Sequence, residues 1–349
     1  MTLVNLWFVL IGVLFTGYLV LEGFDFGVGM LIHPAGRTLE ERRQVLRTIG
    51  PVWDGNEVWL LTAGGSIFAA FPEWYATLFS GYYLALFAIL MCLIVRVMAI
   101  EYRNKHDGEA WRRRWDIGIA VTSALPAFLW GVAFANIVGG SPLNDKGVYV
   151  GGFWDLIHPY AVLGGLVTLL LFALHGAHYL ALRATGPVRE RANRIAARLW
   201  LPTLVVVAAF AVWTLAEAQT LRVVAVVGAA VAALALISVF PMQRAGREGW
   251  AFGLTSLTIG GAMIMLWATL FPNAMVSSNG AATNLTLVDA ASTHTTLVVM
   301  TVVAAIMTPI VLLYQAWTYW VFRARVTAAP DEEPKLAVSW LSRTPKGER

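Results

Sequence analysis

The connections between the long apolar segments of this chain are alternately arginine-rich and almost uncharged, and this alternation constrains the fold more than any other feature. The apolar segments cover roughly residues 6–32, 52–71, 75–100, 117–138, 159–182, 199–216, 223–240, 250–271 and 293–322. A helix of about 20 apolar residues crosses a bilayer. We therefore predict an all-α integral membrane protein with nine transmembrane helices.

The positive charges predict the orientation of these helices, because Arg and Lys accumulate in cytoplasmic loops. One set of connections holds Arg37, Arg42, Arg43, Arg47, Arg103, Lys105, Arg112, Arg113, Arg114, Arg183, Arg189, Arg191, Arg194, Arg198, Arg244 and Arg247, and Arg323 and Arg325 continue it. The opposite connections hold only Lys146 and Arg222. The amino terminus is accordingly predicted outside and the carboxyl terminus in the cytoplasm.

Composition excludes an ordinary soluble enzyme, since 58% of the residues are hydrophobic, 13% are charged and the mean hydropathy is +0.67. We predict a single transmembrane domain over residues 1–326 and a polar cytoplasmic tail over 327–349. The segment 39–49 is amphipathic and predicts a short helix on the inner surface. The net charge of +4 resides in the inner loops, so no nucleic-acid partner is expected.

The first three apolar segments carry charged residues near their predicted inner ends. These are Glu22 and Asp25, Asp54 and Glu57, and Arg96 and Glu101. A charge at the centre of a span costs about 2.5 to 3.5 kcal/mol on insertion scales, so such groups normally face a partner or a wet cavity. One interpretation is a proton or ion path. The other is structural: Arg96 pairs with one or two acids, and Glu101 and Asp54 lie at an interface.

Other cofactor and catalytic signatures are weak. His175 and His178 are three residues apart on one predicted helix, and we favour interfacial hydrogen bonding over metal ligation because no third ligand is evident. No metal site is predicted. The sequence contains no P-loop, no GxGxxG motif after a strand and no Ser/His/Asp signature, so nucleotide-driven chemistry is not indicated.

Four stretches together resemble subunit II of the cytochrome bd-type quinol oxidases. They are GYLVLEGFDFGVGML at 17–31, GPVWDGNEVWLLTAGGSIFAAFPEWYATLFSGYYLALF at 50–87, FPNAMVSSN at 271–279 and MTPIVLLYQAWTYWVFRARV at 307–326. The resemblance runs from the first apolar segment to the last. It implies two four-helix bundles plus one peripheral helix in a bacterial plasma membrane.

The resemblance also implies a heterodimer. Subunit I would carry two b-type haems, haem d and the quinol-oxidation site, whereas this chain would hold no haem and no catalytic residue. The complex would oxidise quinol, reduce oxygen to water and take the required protons from the cytoplasm. Small accessory membrane subunits, membrane lipids and a structural quinone are further partners that the resemblance admits.

Carried onto this sequence, the polar positions of the family fall on Asp25, Trp53, Asp54, Arg96 and Asp116. We take Asp54 as the main proton-path candidate, with Asp25 and Arg96, and helical spacing adds Glu57 and Glu22. Trp53, Asp116 and Glu101 are candidates for stabilising the complex. We expect Asp116 to cap the fourth span and to pair with the arginines at 112–114.

The resemblance further places Trp59 beside a hydrophobic route for oxygen, while ordinary core packing is the alternative for this ring. Two other functions stay open at this point. A proton-coupled secondary transporter would explain the intramembrane acids, although no pair of matching broken segments points to inverted repeats. A purely structural subunit would explain them as helix-pinning ion pairs.

Overall fold

The computed structural model describes residues 2–106, 108–218 and 220–328, so residues 329–349 of the predicted tail lie outside the described chain. Its helices are α1 (Leu3–Met30), α2 (Ile32–Ala35), α3 (Leu39–Ile49), α4 (Trp53–Ala70), α5 (Pro72–Gly81), α6 (Tyr83–Tyr102), α7 (Glu109–Gly139), α8 (Pro159–Arg183), α9 (Gly186–Glu217), α10 (Arg222–Arg244), α11 (Glu248–Leu270), α12 (Leu287–Ala290) and α13 (His294–Val321). Short 3-10 helices cover Phe153–Leu156 and Ala281–Thr283. The two strands are β1 (Asn273–Met275) and β2 (Leu285–Thr286).

Eight helices of the described chain are long and apolar enough to cross a membrane, namely α1, α6, α7, α8, α9, α10, α11 and α13. The prediction of an all-helical multi-pass membrane protein is therefore confirmed. Helix α4 is not among the eight; it has 18 residues and carries Asp54 and Glu57. The predicted segment 75–100 is divided at Tyr82, so that α5 precedes the long α6.

Helix α1 lies at the centre of the fold and packs against α4, α7, α8 and α11. Its contact with α8 is close because Gly27 faces Gly176: a Cβ added to Gly27 would overlap the α8 backbone. Gly23, one turn earlier, receives the ring of Phe172. The two glycines thus let the helices approach as their four-residue spacing predicts.

The amphipathic segment forms α3 with the predicted bounds. Thr38 and Glu41 form a capping box at its start, and Val45 and Ile49 are buried on one face. The Glu41 carboxylate also pairs with Arg191 of α9 at 2.6 Å. Burial raises the pKa of Glu41, but hydrogen bonds from Arg191 and from backbone N–H groups outweigh it, so the net pKa is lowered.

The side of the molecule opposite the arginine-rich connections is closed by the two longer connections, 139–156 and 272–292. Strands β1 and β2 pair antiparallel, and a bridge joins Ser141 to Ser277. Helix α13 lies at the periphery, where it contacts α1 and α4 and buries only Leu297 among its described residues. Trp7 of α1 donates to Thr301 of α13 at 3.0 Å.

Candidate functional site

Arg96 holds together two carboxylates from different helices. It projects from α6, is 1% exposed, and its Nη2 atom pairs with Glu22 of α1 and lies 2.9 Å from Oε1 of Glu57 on α4. Its guanidinium also lies 4.7 Å from the centre of the Phe26 ring. Glu22 is fully buried, whereas the Glu57 side chain is 19% exposed. Two acids therefore share one buried cation, and one of them reaches the surface.

Asp25 lies one turn beyond Glu22 and has its own partners. Its Oδ2 atom accepts a hydrogen bond from Nδ2 of Asn56 at 2.6 Å, while Oδ1 has no hydrogen-bond partner within the described residues. Oδ1 of Asn56 in turn accepts from Tyr319 at 2.8 Å and from Gln315 at 3.2 Å, both on α13. Asn56 therefore connects the buried acid on α1 to the exposed peripheral helix.

Asp54 lies at the open end of this arrangement. It is exposed in the first turn of α4, three residues before Glu57, so the two acids are neighbours on one helix face. The adjacent Trp53 is buried, with 9% exposure. Glu101 is exposed near the end of α6 and makes no hydrogen bond or ion pair within the described chain. Of the sequence-predicted cluster, Glu22, Asp25 and Arg96 are buried and Glu57 is partly buried. Asp54 and Glu101 are exposed, and Glu101 contacts none of the others.

Asp116 lies outside this cluster and links three elements. Its Oδ1 atom is 2.5 Å from Nε of Arg103, and its Oδ2 atom is 3.3 Å from Nη1 of Arg42. The expected capping role is wrong, because α7 begins at Glu109 and Asp116 lies in its second turn. The partners found for this fully buried carboxylate come from the end of α6 and from α3, before the arginine run.

The histidine pair is buried inside the protein. His175 uses both ring nitrogens, Nδ1 with Thr255 at 2.7 Å and Nε2 with the Val20 carbonyl at 3.0 Å, as expected for interfacial hydrogen bonding. Both ring nitrogens of His175 thus face protein hydrogen-bond partners. His178 is equally buried, and its ring nitrogens have no partner among the described residues. No group of three or more His, Cys, Asp or Glu side chains suited to a metal ion occurs within the described chain.

Trp59 is half-buried on α4 and its six-membered ring lies against Gly17 of α1, where an added side-chain carbon would overlap it. On the same helix, Gly64 and Gly65 have open space beside them. They help to line an apolar groove of about 480 Å³ between α4, α5 and α6. Trp59 does not itself line this groove, but the next residue, Leu60, does.

Sequence reasoning missed Asn56, Gln315 and Tyr319. Asn56 could have been noticed, because it is a polar residue between Asp54 and Glu57 in an otherwise apolar stretch. Nothing in the sequence predicts that α13 contacts α4, so the sequence alone does not identify Gln315 and Tyr319 as neighbours of Asn56. The complete arrangement consists of two contact groups, Glu57–Arg96–Glu22 and Asp25–Asn56 with α13, beside exposed Asp54. Intramembrane carboxylates of this kind occur in proton relays.

Comparison with known proteins identifies relatives along nearly the whole chain. The family model described as cytochrome bd terminal oxidase subunit II matches residues 3–322. Cytochrome bd ubiquinol oxidase subunit 2 of Bacillus subtilis is 39% identical over 329 residues, covering 93% of this chain and 96% of the relative. Cytochrome bd-I ubiquinol oxidase subunit 2 of Escherichia coli K12 is 38% identical, covering 92% and 94%.

A solved structure shows the same fold. A chain of the bd oxidase from Geobacillus thermodenitrificans superimposes with a TM-score of 0.72, covering 92% of this chain and 99% of that chain. Only 19% of the aligned residues are identical, so this likeness concerns the helical architecture alone.

Proposed function

The chain belongs to the cytochrome bd terminal oxidase subunit II family, and on this premise we propose that it supports a haem-bearing subunit I and conducts protons to it in a bacterial plasma membrane. The complex is a quinol oxidase, in which electrons from quinol reduce oxygen to water. The haems and the quinol site belong to subunit I in this proposal. Reduction of oxygen to water consumes protons as well as electrons, and these need a route through the protein.

The proton path would begin at Asp54 and continue through Glu57 to the buried pair of Glu22 and Arg96. Its support is the contact between Glu57 and Arg96, which joins an acid at the surface to an acid that is fully buried. Asp25 would lie on the same path or on a branch from it, connected through Asn56. Acidic residues inside a membrane are costly to bury and usually have a function, which favours proton conduction over a purely structural role for this cluster.

Subunit I would cover the exposed faces of α4 and α6. These faces present many apolar side chains, among them Leu61, Phe68, Phe87 and Ile94. Lipid could cover apolar groups equally well, but the α4 face also carries exposed Asp54, and a carboxylate in contact with hydrocarbon would be costly. A protein partner with polar groups is the better neighbour.

Within this proposal α4 is the ninth spanning helix, although it is less apolar than the other eight. Its charges would be shielded by α1, α6 and subunit I. The orientation is proposed from the arginine-rich connections, with the acid cluster on the cytoplasmic side. Residues 1–326 form one membrane domain in this proposal, arranged as two four-helix bundles plus one peripheral helix, and residues 327–349 are its polar tail.

An oxygen route past Trp59 is a second element of the proposal. Oxygen is small and apolar, so it concentrates in lipid, and the apolar groove beside Gly64 and Gly65 offers it space next to the partner-facing surface. A structural quinone or lipid could occupy the same kind of surface.

The proposal is tested in the purified two-subunit complex with Asp54→Asn, which keeps the side-chain shape and removes the ionisable group. We expect quinol-dependent oxygen consumption to fall roughly tenfold or more, with haem content and subunit ratio unchanged. Glu40→Gln is the matched control, because Glu40 is an exposed acid on α3, outside the acid cluster and the proposed interface with subunit I. Normal oxygen consumption in Asp54→Asn would refute the path, and loss of haem would assign the residue a structural role.

A further inference from the structure

We propose that the turn between α10 and α11 binds the headgroup of an anionic phospholipid, whose acyl chain lies along the exposed face of α11. Both helices are candidate membrane spans, so this turn lies where a span emerges from the bilayer. Two cavities flank it, with volumes of about 510 Å³ and about 290 Å³. Gly246 and Glu248 border both cavities, so these form one continuous binding region around the turn.

This region has more positive than negative groups. Its walls carry four guanidinium groups, from Arg189, Arg244, Arg247 and Arg325, and one carboxylate, from Glu248. That carboxylate is already neutralised, because Arg189 and Arg325 each donate to it at 2.7 Å. The remaining charge is therefore cationic, and phosphate is the anion that guanidinium groups recognise best.

Arg244 and Arg247 are the two cations without an anionic partner. Both are exposed, and neither pairs with a carboxylate in the described chain. The Arg244 guanidinium lies 4.4 Å from the centre of the Phe240 ring, which orients it without using its charge. Both groups are thus available to an external anion.

The surface of α11 that runs from the cavities toward the membrane interior fits an acyl chain. Residues spaced by three or four positions form a stripe along α11, in which Trp250, Gly253, Leu257 and Ile264 are exposed and Gly260 is half-buried. Gly253 and Gly260 have open space where a side chain would stand, so the stripe is a shallow groove. Trp250 is 67% exposed and lies at the end of the stripe next to the turn, where the helix would meet the membrane interface that tryptophan favours.

The stripe favours lipid over inorganic phosphate, which would use the cations but not the groove. The tail is the competing occupant, because the acidic residues Asp331, Glu332 and Glu333 are followed by the apolar segment 336–341. Deletion of residues 329–349 tests this alternative. A phospholipid satisfies the cations and the groove together, and each juxtamembrane arginine strengthens binding to anionic lipid.

The test uses the delipidated two-subunit complex in neutral detergent, titrated with dioleoyl phosphatidylglycerol, with bound lipid counted by native mass spectrometry. We expect the variant Arg244→Gln/Arg247→Gln to raise the dissociation constant of the tightest phosphatidylglycerol roughly tenfold or more. The matched control is Arg113→Gln/Arg114→Gln, which removes two exposed arginines from the same side. Haem absorbance and subunit ratio verify that each complex is assembled.

Three further titrations identify the ligand. Dioleoyl phosphatidylcholine should bind more weakly than phosphatidylglycerol to the unaltered complex, inorganic phosphate should not displace the bound lipid, and deletion of residues 329–349 should leave lipid affinity unchanged. Equal loss in the two double variants would overturn the proposal. Displacement by inorganic phosphate would make this an ion site, and tighter lipid binding after the deletion would make the tail its normal occupant; either result also overturns it.

Discussion

Asn56 donates from Nδ2 to Oδ2 of Asp25 at 2.6 Å, across the contact between α4 and α1. The same amide accepts from Tyr319 through its other end, so one side chain both orients a buried carboxylate and connects it to the peripheral helix. An asparagine can bridge in this way because it combines donors and an acceptor in one planar group. This contact gives the buried acid a defined hydrogen-bonding neighbour.

Replacing Asn56 by Leu removes both functions of the amide while keeping similar volume. We expect quinol-dependent oxygen consumption to fall roughly tenfold, because Asp25 loses the neighbour that orients it. The rate is measured with an oxygen electrode and expressed per haem. Thr62→Val is the control, since Thr62 is exposed on the same helix. An unchanged rate per haem in Asn56→Leu would show that Asp25 takes no part in proton delivery, or does so without this contact.

Removing the Arg96 charge is expected to damage stability first. Arg96→Gln leaves Glu22 buried without its cation, and breaking a buried ion pair from one side costs about 3 to 5 kcal/mol. We expect lower yield of assembled complex and earlier thermal unfolding.

The double variant Glu22→Gln/Arg96→Gln provides the check on this cause. It removes the unpaired charge along with the cation, so it should unfold at a higher temperature than Arg96→Gln. If the double variant is no more stable than the single one, electrostatic pairing is not what Arg96 contributes, and its packing on the Phe26 ring becomes the explanation.

The sequence predicted the helical framework well where apolar pattern alone decides it. The predicted bounds were less accurate where a helix extends beyond its apolar segment. Helix α9 begins at Gly186 and not near residue 199. Its polar first half contacts the neighbouring α11 through pairs such as Arg189 with Glu248. The same limit applies to the site. Helical spacing brought Glu22 and Asp25 onto one region of α1, but the roles of Asn56 and Tyr319 depend on tertiary packing that no local pattern encodes.

Asp116 offers a contrast with the acids of the proposed path. Asp116→Asn would leave Arg103, which is 1% exposed, without a carboxylate, so we expect a loss of about 3 to 5 kcal/mol in stability. Oxygen consumption per haem should be unchanged in the complex that assembles. Thermal unfolding and the rate per haem are measured together, with exposed Asp145→Asn as control. A reduced rate at normal stability would place Asp116 on a proton route instead.

His158 gives a pH dependence on the opposite side of the molecule. Burial lowers the pKa of this histidine below its usual 6.5, and its Nε2 atom lies 3.1 Å from Oδ1 of Asn136. A lowered pKa means that the unfolded chain binds the proton more readily than the folded chain. The free energy of unfolding is therefore highest above pH 6.5, and it decreases as the pH falls toward the lowered pKa of His158. His158→Gln should flatten the dependence of melting temperature on pH in this range. Parallel curves for the unaltered complex and His158→Gln would contradict this assignment.

A substitution of Gly17, which contacts Trp59, distinguishes an oxygen route past this ring from ordinary core packing. Gly17→Val must displace the indole ring, because even one added carbon overlaps it. If oxygen passes this ring, the variant should raise the KM for oxygen several-fold, with little change in the rate at saturating oxygen, because transport to the reaction centre is altered and proton delivery is not. If the ring only fills the core, the variant should unfold at lower temperature while the KM for oxygen stays the same. Gly118→Ala on α7 is the control, since its added carbon meets only ordinary contacts and Gly118 does not line the groove. Measurement of oxygen dependence and thermal unfolding on the same preparations therefore distinguishes a route from a packing contact.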